Sequence, residues 1–89
     1  MARPIVIEFT ETFKRTYQAL PDSIKKKVKK QLAFLRENPK HPSLRIHKLN
    51  DEWEFYVDIH YRCIFEQKGN VYILLVVGTH KIVDRYQRT

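Results

Sequence analysis

Ile5, Ile7 and Phe9 alternate with Val6 and Glu8, so the chain begins with the period-two spacing of a short strand that is apolar on one face. The spacing then lengthens. Phe13, Tyr17 and Leu20 recur at i, i+4 and i+7, which predicts a short helix that Thr10 or Thr12 can cap and Pro21 closes. A second helix has a cleaner signature. Pro21 and Asp22 stand at its start, Ile24, Val28, Leu32 and Leu35 form one apolar stripe, and Asn38-Pro39 ends it, which bounds it to Asp22–Glu37.

The stretch KHPSLRIHKLNDE has no sustained period and contains two prolines in close succession with its neighbour, Pro39 and Pro42. It reads as a connector with a short extended piece between Leu44 and Leu49. Three strand patterns follow. Trp53, Phe55 and Val57 alternate with Glu54 and Tyr56; Tyr61 to Gln67 is the next run; and Lys68-Gly69-Asn70 is a turn joining it as a hairpin to Val71–Val77. The last run is apolar at every position, as a central strand covered on both faces would be. The order β-α-α-β-β-β predicts an α+β fold: a small antiparallel-rich sheet with an N-terminal helix hairpin packed on one face. Gly78 marks where the last strand ends or bends, leaving His80 and Lys81 at the strand's edge.

A chain of 89 residues has room for a single domain, residues 1–89, and for little beyond one site. Its one cysteine, Cys63, cannot form an internal disulfide, and no charged-then-apolar leader opens the sequence, so a reducing cytoplasm is the expected setting. No apolar run is long enough to span a bilayer, and no membrane partner is expected. Charge adds more. Seventeen Lys and Arg stand against ten Asp and Glu, a net +7, and four of the acids gather at Asp51, Glu52, Glu54 and Asp58, so the rest of the chain is more basic than the total. That excess fits a polyanion such as nucleic acid, an acidic protein partner, or a plain solvated surface.

With helices on one face, Glu54, Tyr56 and Arg62 alternate onto the other. Arg62, among Tyr, Cys, Ile and Phe, is either a rim arginine paired with Glu54 or Asp58, or a binder of anions. His80, Lys81 and Arg85 taken singly read as surface residues. Together with Arg62 and Tyr86 they supply an imidazole, guanidinium groups, an ammonium and a phenol, the set that cleavage of RNA through its own 2′-hydroxyl uses. A base must take that proton, an acid must protonate the leaving oxygen, and cations must stabilise the charge that grows on phosphorus. The chemistry requires no cofactor, and no metal site is expected. His41 and His47 are six residues apart with no carboxylate at ligand spacing, and a lone cysteine makes zinc binding improbable.

Taken in order, HPSLRIHKL, WEFYVDIHYRCIFEQ and VVGTHKIVDRY resemble the RelE/ParE superfamily of toxins from bacterial toxin–antitoxin systems, in its RelE- and YafQ-like branches. The resemblance covers nearly the whole chain, the helix hairpin included. It implies a microbial-RNase-like fold that enters the ribosomal A site and cuts mRNA without a metal, with a cognate antitoxin, rRNA and mRNA as partners. Carried onto this sequence, it makes Arg62 a phosphate binder, His80 a general acid, and Tyr86 a group that stacks on or orients a base or shares the acid–base work. The general base is where the sequence departs from the family: the corresponding places hold Ser43, Glu54 and Tyr56, and His60 is favoured over His47 because it adjoins Tyr61-Arg62. Arg45, His47, Lys48, Lys81 and Arg85 would hold RNA, while Lys26, Lys29 and Lys30 on the outer side of the second helix would meet rRNA or an acidic antitoxin. The same resemblance leaves two other readings open: a ParE-like inhibitor of DNA gyrase, and a member that binds its antitoxin without catalysis.

Overall fold

The computed structural model describes residues 4–87, with side chains to residue 86. In order the chain forms β1 (Val6–Phe9), α1 (Glu11–Gln18), α2 (Asp22–Glu37), a 3-10 turn at Pro42–Leu44, β2 (His47–Leu49), β3 (Glu52–Tyr56), β4 (Tyr61–Lys68), β5 (Val71–Thr79) and α3 (His80–Gln87). The five strands make one sheet in the order β1-β5-β4-β3-β2. Only β1 runs parallel to its neighbour, pairing Val6 to Phe9 with Val71 to Leu74 of β5; the other pairings are antiparallel. The α+β class and the helix hairpin on one face agree with the sequence pattern.

Thr10 fixes the turn out of β1. Its hydroxyl oxygen accepts the Phe13 N–H at 3.1 Å, capping α1, while the hydroxyl lies 3.0 Å from the Leu74 carbonyl and 3.1 Å from that of Leu75. One side chain thus satisfies an orphan donor of the helix and ties it to the central strand. The apolar stripe of α2 then meets the sheet. Phe13, Ile24, Val28 and Leu35 pack with Phe55, Cys63, Phe65, Tyr72, Leu74 and Val77 in the larger core. Fully buried side chains of this kind contribute roughly 1.5–3 kcal/mol each relative to exposure. Between β4 and β5 the predicted hairpin forms, with Lys68 opposite Val71 and Gly69 supplying the positive φ of 60° that its turn requires.

The extended piece expected between Leu44 and Leu49 forms as β2 on the far edge of the sheet, preceded by the 3-10 turn. Two features differ from the sequence reading. The first is that β5 does not end at Gly78 but continues to Thr79. The second is that the segment after it, read as a strand edge, is a helix. α3 folds back over the face opposite α1 and α2, and its Val83 closes a second small core with Ile64, Leu75 and Val76, against which Tyr86 packs. The extra residue that puts both Leu75 and Val76 on that side comes from an irregularity of register, in which Ile64 pairs with Val76 but Phe65 with Leu74. Gly78 has a packing role. A Cβ there would lie 2.9 Å from Ile82 Cγ2 and 3.0 Å from Ile82 Cβ, so glycine lets the first turn of α3 press onto the strand that leads into it. Among the described residues no helix is long and apolar enough to cross a membrane.

Candidate functional site

α3 covers only part of its face, and the uncovered end collects polar side chains from three strands. Register does this. His47 of β2 lies directly opposite Glu54 of β3, and Tyr56 of β3 lies opposite Arg62 of β4, so all four project from the same side of the sheet. His47 Nε2 is 3.0 Å from Glu54 Oε1, and Arg62 Nη1 reaches diagonally to the same oxygen at 3.4 Å. The Arg62 guanidinium also sits over the Tyr56 ring, 4.5 Å from its centroid.

Glu54 is a carboxylate only 3% exposed, an arrangement that is costly unless cations and hydrogen bonds compensate. Here a guanidinium and an imidazole share one of its oxygens. His47 has an oxygen near each ring nitrogen, Glu54 Oε1 at Nε2 and the Arg45 carbonyl at Nδ1, 3.2 Å away. Arg62 is less completely satisfied. Its Nε is buried with no hydrogen-bond partner among the described residues, and its one ion-pair contact is long. An unmade buried donor of this kind costs about 1–3 kcal/mol.

The other sequence-predicted residues divide. Gly78 of β5 is the register partner of Arg62, and His80 stands two residues further on, opening α3. His80 is therefore at the same end of the sheet as Arg62, on the side away from Glu54; its Nδ1 is 3.2 Å from Asp84 Oδ2. Arg45 is close to the cluster as well, its guanidinium 5.8 Å from the Tyr56 ring. His60, favoured over His47 from sequence, lies exposed in the β3–β4 turn, where its backbone N–H donates to Asp58 Oδ1 at 2.8 Å; it is His47 that contacts Glu54. Lys48 projects from the other side of β2 toward Trp53, 5.8 Å from its ring. Tyr86 packs against Ile64, Leu75, Val76 and Val83, and burial followed by the charges of Glu52 and Glu66 raises its phenol above the usual tyrosine range. Lys81 and Arg85 are exposed on α3, and Lys26, Lys29 and Lys30 on α2.

One residue of structural weight escaped the sequence reading. Gln31 lies on the buried side of α2, 6% exposed. Because β2 starts opposite Glu54, Tyr56 has no β2 partner, and Gln31 Nε2 donates to its carbonyl at 2.8 Å instead. The same nitrogen donates to the Ser43 carbonyl at 3.2 Å, and the Ser43 hydroxyl is 3.4 Å from Gln31 Oε1. Gln31 thereby fastens the connector before β2 to the end of β3. The signal was present as a polar residue at the i+3 position from Val28. Elsewhere an apolar cavity of about 260 Å³ opens between α1 and α2, lined by Phe9, Phe13, Tyr17 and Leu32, with Lys14 and Lys29 among its walls. Phe9, 42% exposed, belongs to β1, one of the two edge strands of the sheet.

Comparison with known proteins gives this arrangement a family. The model of the ParE toxin of the type II toxin–antitoxin system parDE matches residues 7–83. No curated protein matches the chain in sequence. Several solved structures share the fold. A chain of the E. coli DinJ–YafQ toxin–antitoxin complex superposes with a TM-score of 0.77 at 15% identity, covering 91% of this chain and 98% of that one. E. coli toxin RelE in the free state, as a double arginine-to-alanine variant, gives 0.71 at 17% identity over 96% and 93%. The RelB–RelE complex from Methanococcus jannaschii gives 0.69 at 20% identity over 89% and 96%. The sequence match across most of the chain, on a fold shared with RelE and YafQ, makes this protein a member of the ParE toxin family of type II toxin–antitoxin systems, within the RelE/ParE superfamily.

Proposed function

We propose that this toxin is a ribosome-dependent endoribonuclease that cuts mRNA through the RNA's own 2′-hydroxyl. The observation that supports it best is the order of groups across the sheet end: Glu54 on β3, Arg62 on β4 and His80 just after β5. In-line displacement at phosphorus needs a base and an acid on opposite sides of the phosphate and a cation between them. Arg62 binds the non-bridging oxygens and leaves Glu54 as they take up its guanidinium. Glu54 accepts the 2′-hydroxyl proton while O2′ bonds to phosphorus. The bond from phosphorus to O5′ breaks, and O5′ takes a proton from His80. The products are a 2′,3′-cyclic phosphate and a 5′-hydroxyl. His47 holds Glu54 in place, and Tyr56 supports the flat face of Arg62.

A cognate antitoxin is the second partner. The apolar cavity beside Phe9 with its lysine walls suits an amphipathic acidic segment, on the side of the sheet away from Arg62. The match to the ParE toxin family keeps one rival activity in view, the inhibition of DNA gyrase that the sequence resemblance implies. Primer-extension mapping of an mRNA translated in the presence of the toxin, set beside a gyrase supercoiling assay with the same preparation, separates the two. Discrete cuts with undisturbed supercoiling support the nuclease; blocked supercoiling with intact message supports the rival.

A further inference from the structure

We propose that the connector between α2 and β2 forms a second phosphate-binding subsite, which holds the phosphodiester next to the one engaged by Arg62. This rests on the RNA-cleaving reading above. The connector walls a surface cavity of about 380 Å³ lined by Pro39, Lys40, His41, Pro42, Arg45 and Ile46. Two of those six side chains, Lys40 and Arg45, are cationic and none is acidic, so the cavity attracts anions.

The cavity is built before any ligand arrives. Pro39 and Pro42 fix their own backbone, the Asn38 side-chain oxygen accepts the Lys40 N–H at 3.1 Å, and the Asn38 carbonyl accepts the His41 N–H at 2.9 Å. His41 is stacked on Phe34, with ring centroids 3.9 Å apart. Its Nδ1 lies 3.2 Å from the Ser43 backbone nitrogen and 2.8 Å from the Ser43 hydroxyl oxygen, so Ser43 fixes the ring's orientation. Ser43 in turn is held by the buried Gln31 amide. Ordering costs that a loose lysine-rich loop would incur on binding are largely met in the fold itself.

Arg45 links this cavity to the site. It ends the 3-10 turn in the left-handed conformation, with φ 47°, which costs a non-glycine residue roughly 1–2 kcal/mol. The guanidinium so placed lies 5.8 Å from the Tyr56 ring centroid, and that of Arg62 lies 4.5 Å from the same point. The two guanidinium carbons are therefore no more than about 10 Å apart, within the span of neighbouring phosphates on one extended strand. A guanidinium grips a phosphate through paired N–H donors, so two of them flanking one ring fix the strand's direction as well as its position.

The test uses the full-length protein and short single-stranded RNAs with a 2′-deoxy nucleotide at the cut position, one phosphate at a time being replaced by an uncharged methylphosphonate. Binding is read by fluorescence anisotropy across a salt series, and folding of each variant by thermal melting. Arg45→Ala should bind about tenfold more weakly and lose roughly 0.7 from the log–log salt slope, with Lys40→Ala changing in the same direction. One methylphosphonate position beside the cut should weaken the wild type and have no further effect on Arg45→Ala. Wild-type binding by a folded Arg45→Ala, or equal losses from every methylphosphonate in both proteins, overturns the subsite. Ribosomal cleavage measured in parallel keeps the two claims apart: if binding follows the prediction and no message is cut, the subsite stands and the nuclease reading falls.

Discussion

Glu54 Oε1 lies 3.0 Å from His47 Nε2, its direct neighbour across the β2–β3 pair, and 3.4 Å from Arg62 Nη1 on the other side. In the proposed mechanism this carboxylate accepts the 2′-hydroxyl proton once an incoming phosphate draws Arg62 away. Glu54→Gln keeps the volume and the hydrogen-bonding oxygen but cannot act as a base, and cleavage should fall on the order of 10²–10⁴-fold. Thermal melting checks that the fold survives. Full activity in a folded Glu54→Gln variant would remove Glu54 from the chemistry.

The pairing of Gly78 with Ile82 carries the second prediction. Gly78→Ala introduces a Cβ 2.9 Å from Ile82 Cγ2, and the atoms it meets are at the branched root of the side chain, where little can yield. The variant should lose about 1–3 kcal/mol in denaturant unfolding and shift the start of α3, where His80 sits. Ile82 is 44% exposed, so trimming it costs little; the double variant Gly78→Ala with Ile82→Ala should recover most of the loss. A double variant as unstable as Gly78→Ala would place the strain elsewhere.

Asp58 organises the β3–β4 turn beside the site. Burial pushes its carboxyl upward, but the N–H groups of His60 and Tyr61 and the Lys27 ammonium, 3.2 Å away, outweigh it and hold the group below the usual aspartate range. A carboxyl lowered by folding stabilises the fold above its unfolded value, roughly 3.9 for aspartate, and loses that contribution as pH falls through the lower folded value. Asp58→Asn retains an acceptor for both amides without the charge. Its stability deficit should be largest at neutral pH and should close in acid. A deficit independent of pH would show that the charge contributes nothing.

Tyr86 offers a contrast in sign. Burial first, then Glu52 and Glu66, raise its phenol, so the folded chain favours the neutral form; that contribution is present below the ordinary tyrosine value and lost as pH rises through the folded one. Phenolate absorbance should reveal a tyrosine titrating late, which moves down when Glu52 and Glu66 are replaced by glutamine. Packed with the small core under α3, Tyr86 acts as a neutral aromatic surface. Tyr86→Phe should therefore retain most activity, and its complete loss would instead assign the hydroxyl to proton transfer.

What the sequence disclosed follows the range of the forces involved. α2 was bounded correctly at Asp22 and Glu37 because its stripe, its proline entry and its Asn-Pro exit are all local. β5 was recognised as central from its unbroken aliphatic run, and it does lie between β1 and β4 with a core on each face. α3 was missed because Ile82, Val83 and Tyr86 offer too few apolar positions to establish a helical period directly after a glycine that reads as a strand end. Across β2, Leu49 is the lone apolar residue in three, so no alternation marked the strand. Its register was invisible, and with it the contact between His47 and Glu54. Arg62 was legible as a choice between a rim ion pair and an anion binder; the structure contains the ion pair with Glu54, beside a buried Nε with no hydrogen-bond partner among the described residues.

The central claim is that Arg62 stabilises a phosphate attacked by its own 2′-hydroxyl. The most direct measurement maps the ends of an mRNA cut on translating ribosomes by wild type and by Arg62→Ala, with a 2′-deoxy nucleotide placed at the cut position in a parallel message. The account predicts a 2′,3′-cyclic or 3′-phosphate with a 5′-hydroxyl from wild type, resistance of the deoxy position, and cleavage reduced about 10²–10³-fold by Arg62→Ala. A 5′-phosphate product, cutting at the deoxy position, or undiminished cleavage by a folded Arg62→Ala variant would contradict it.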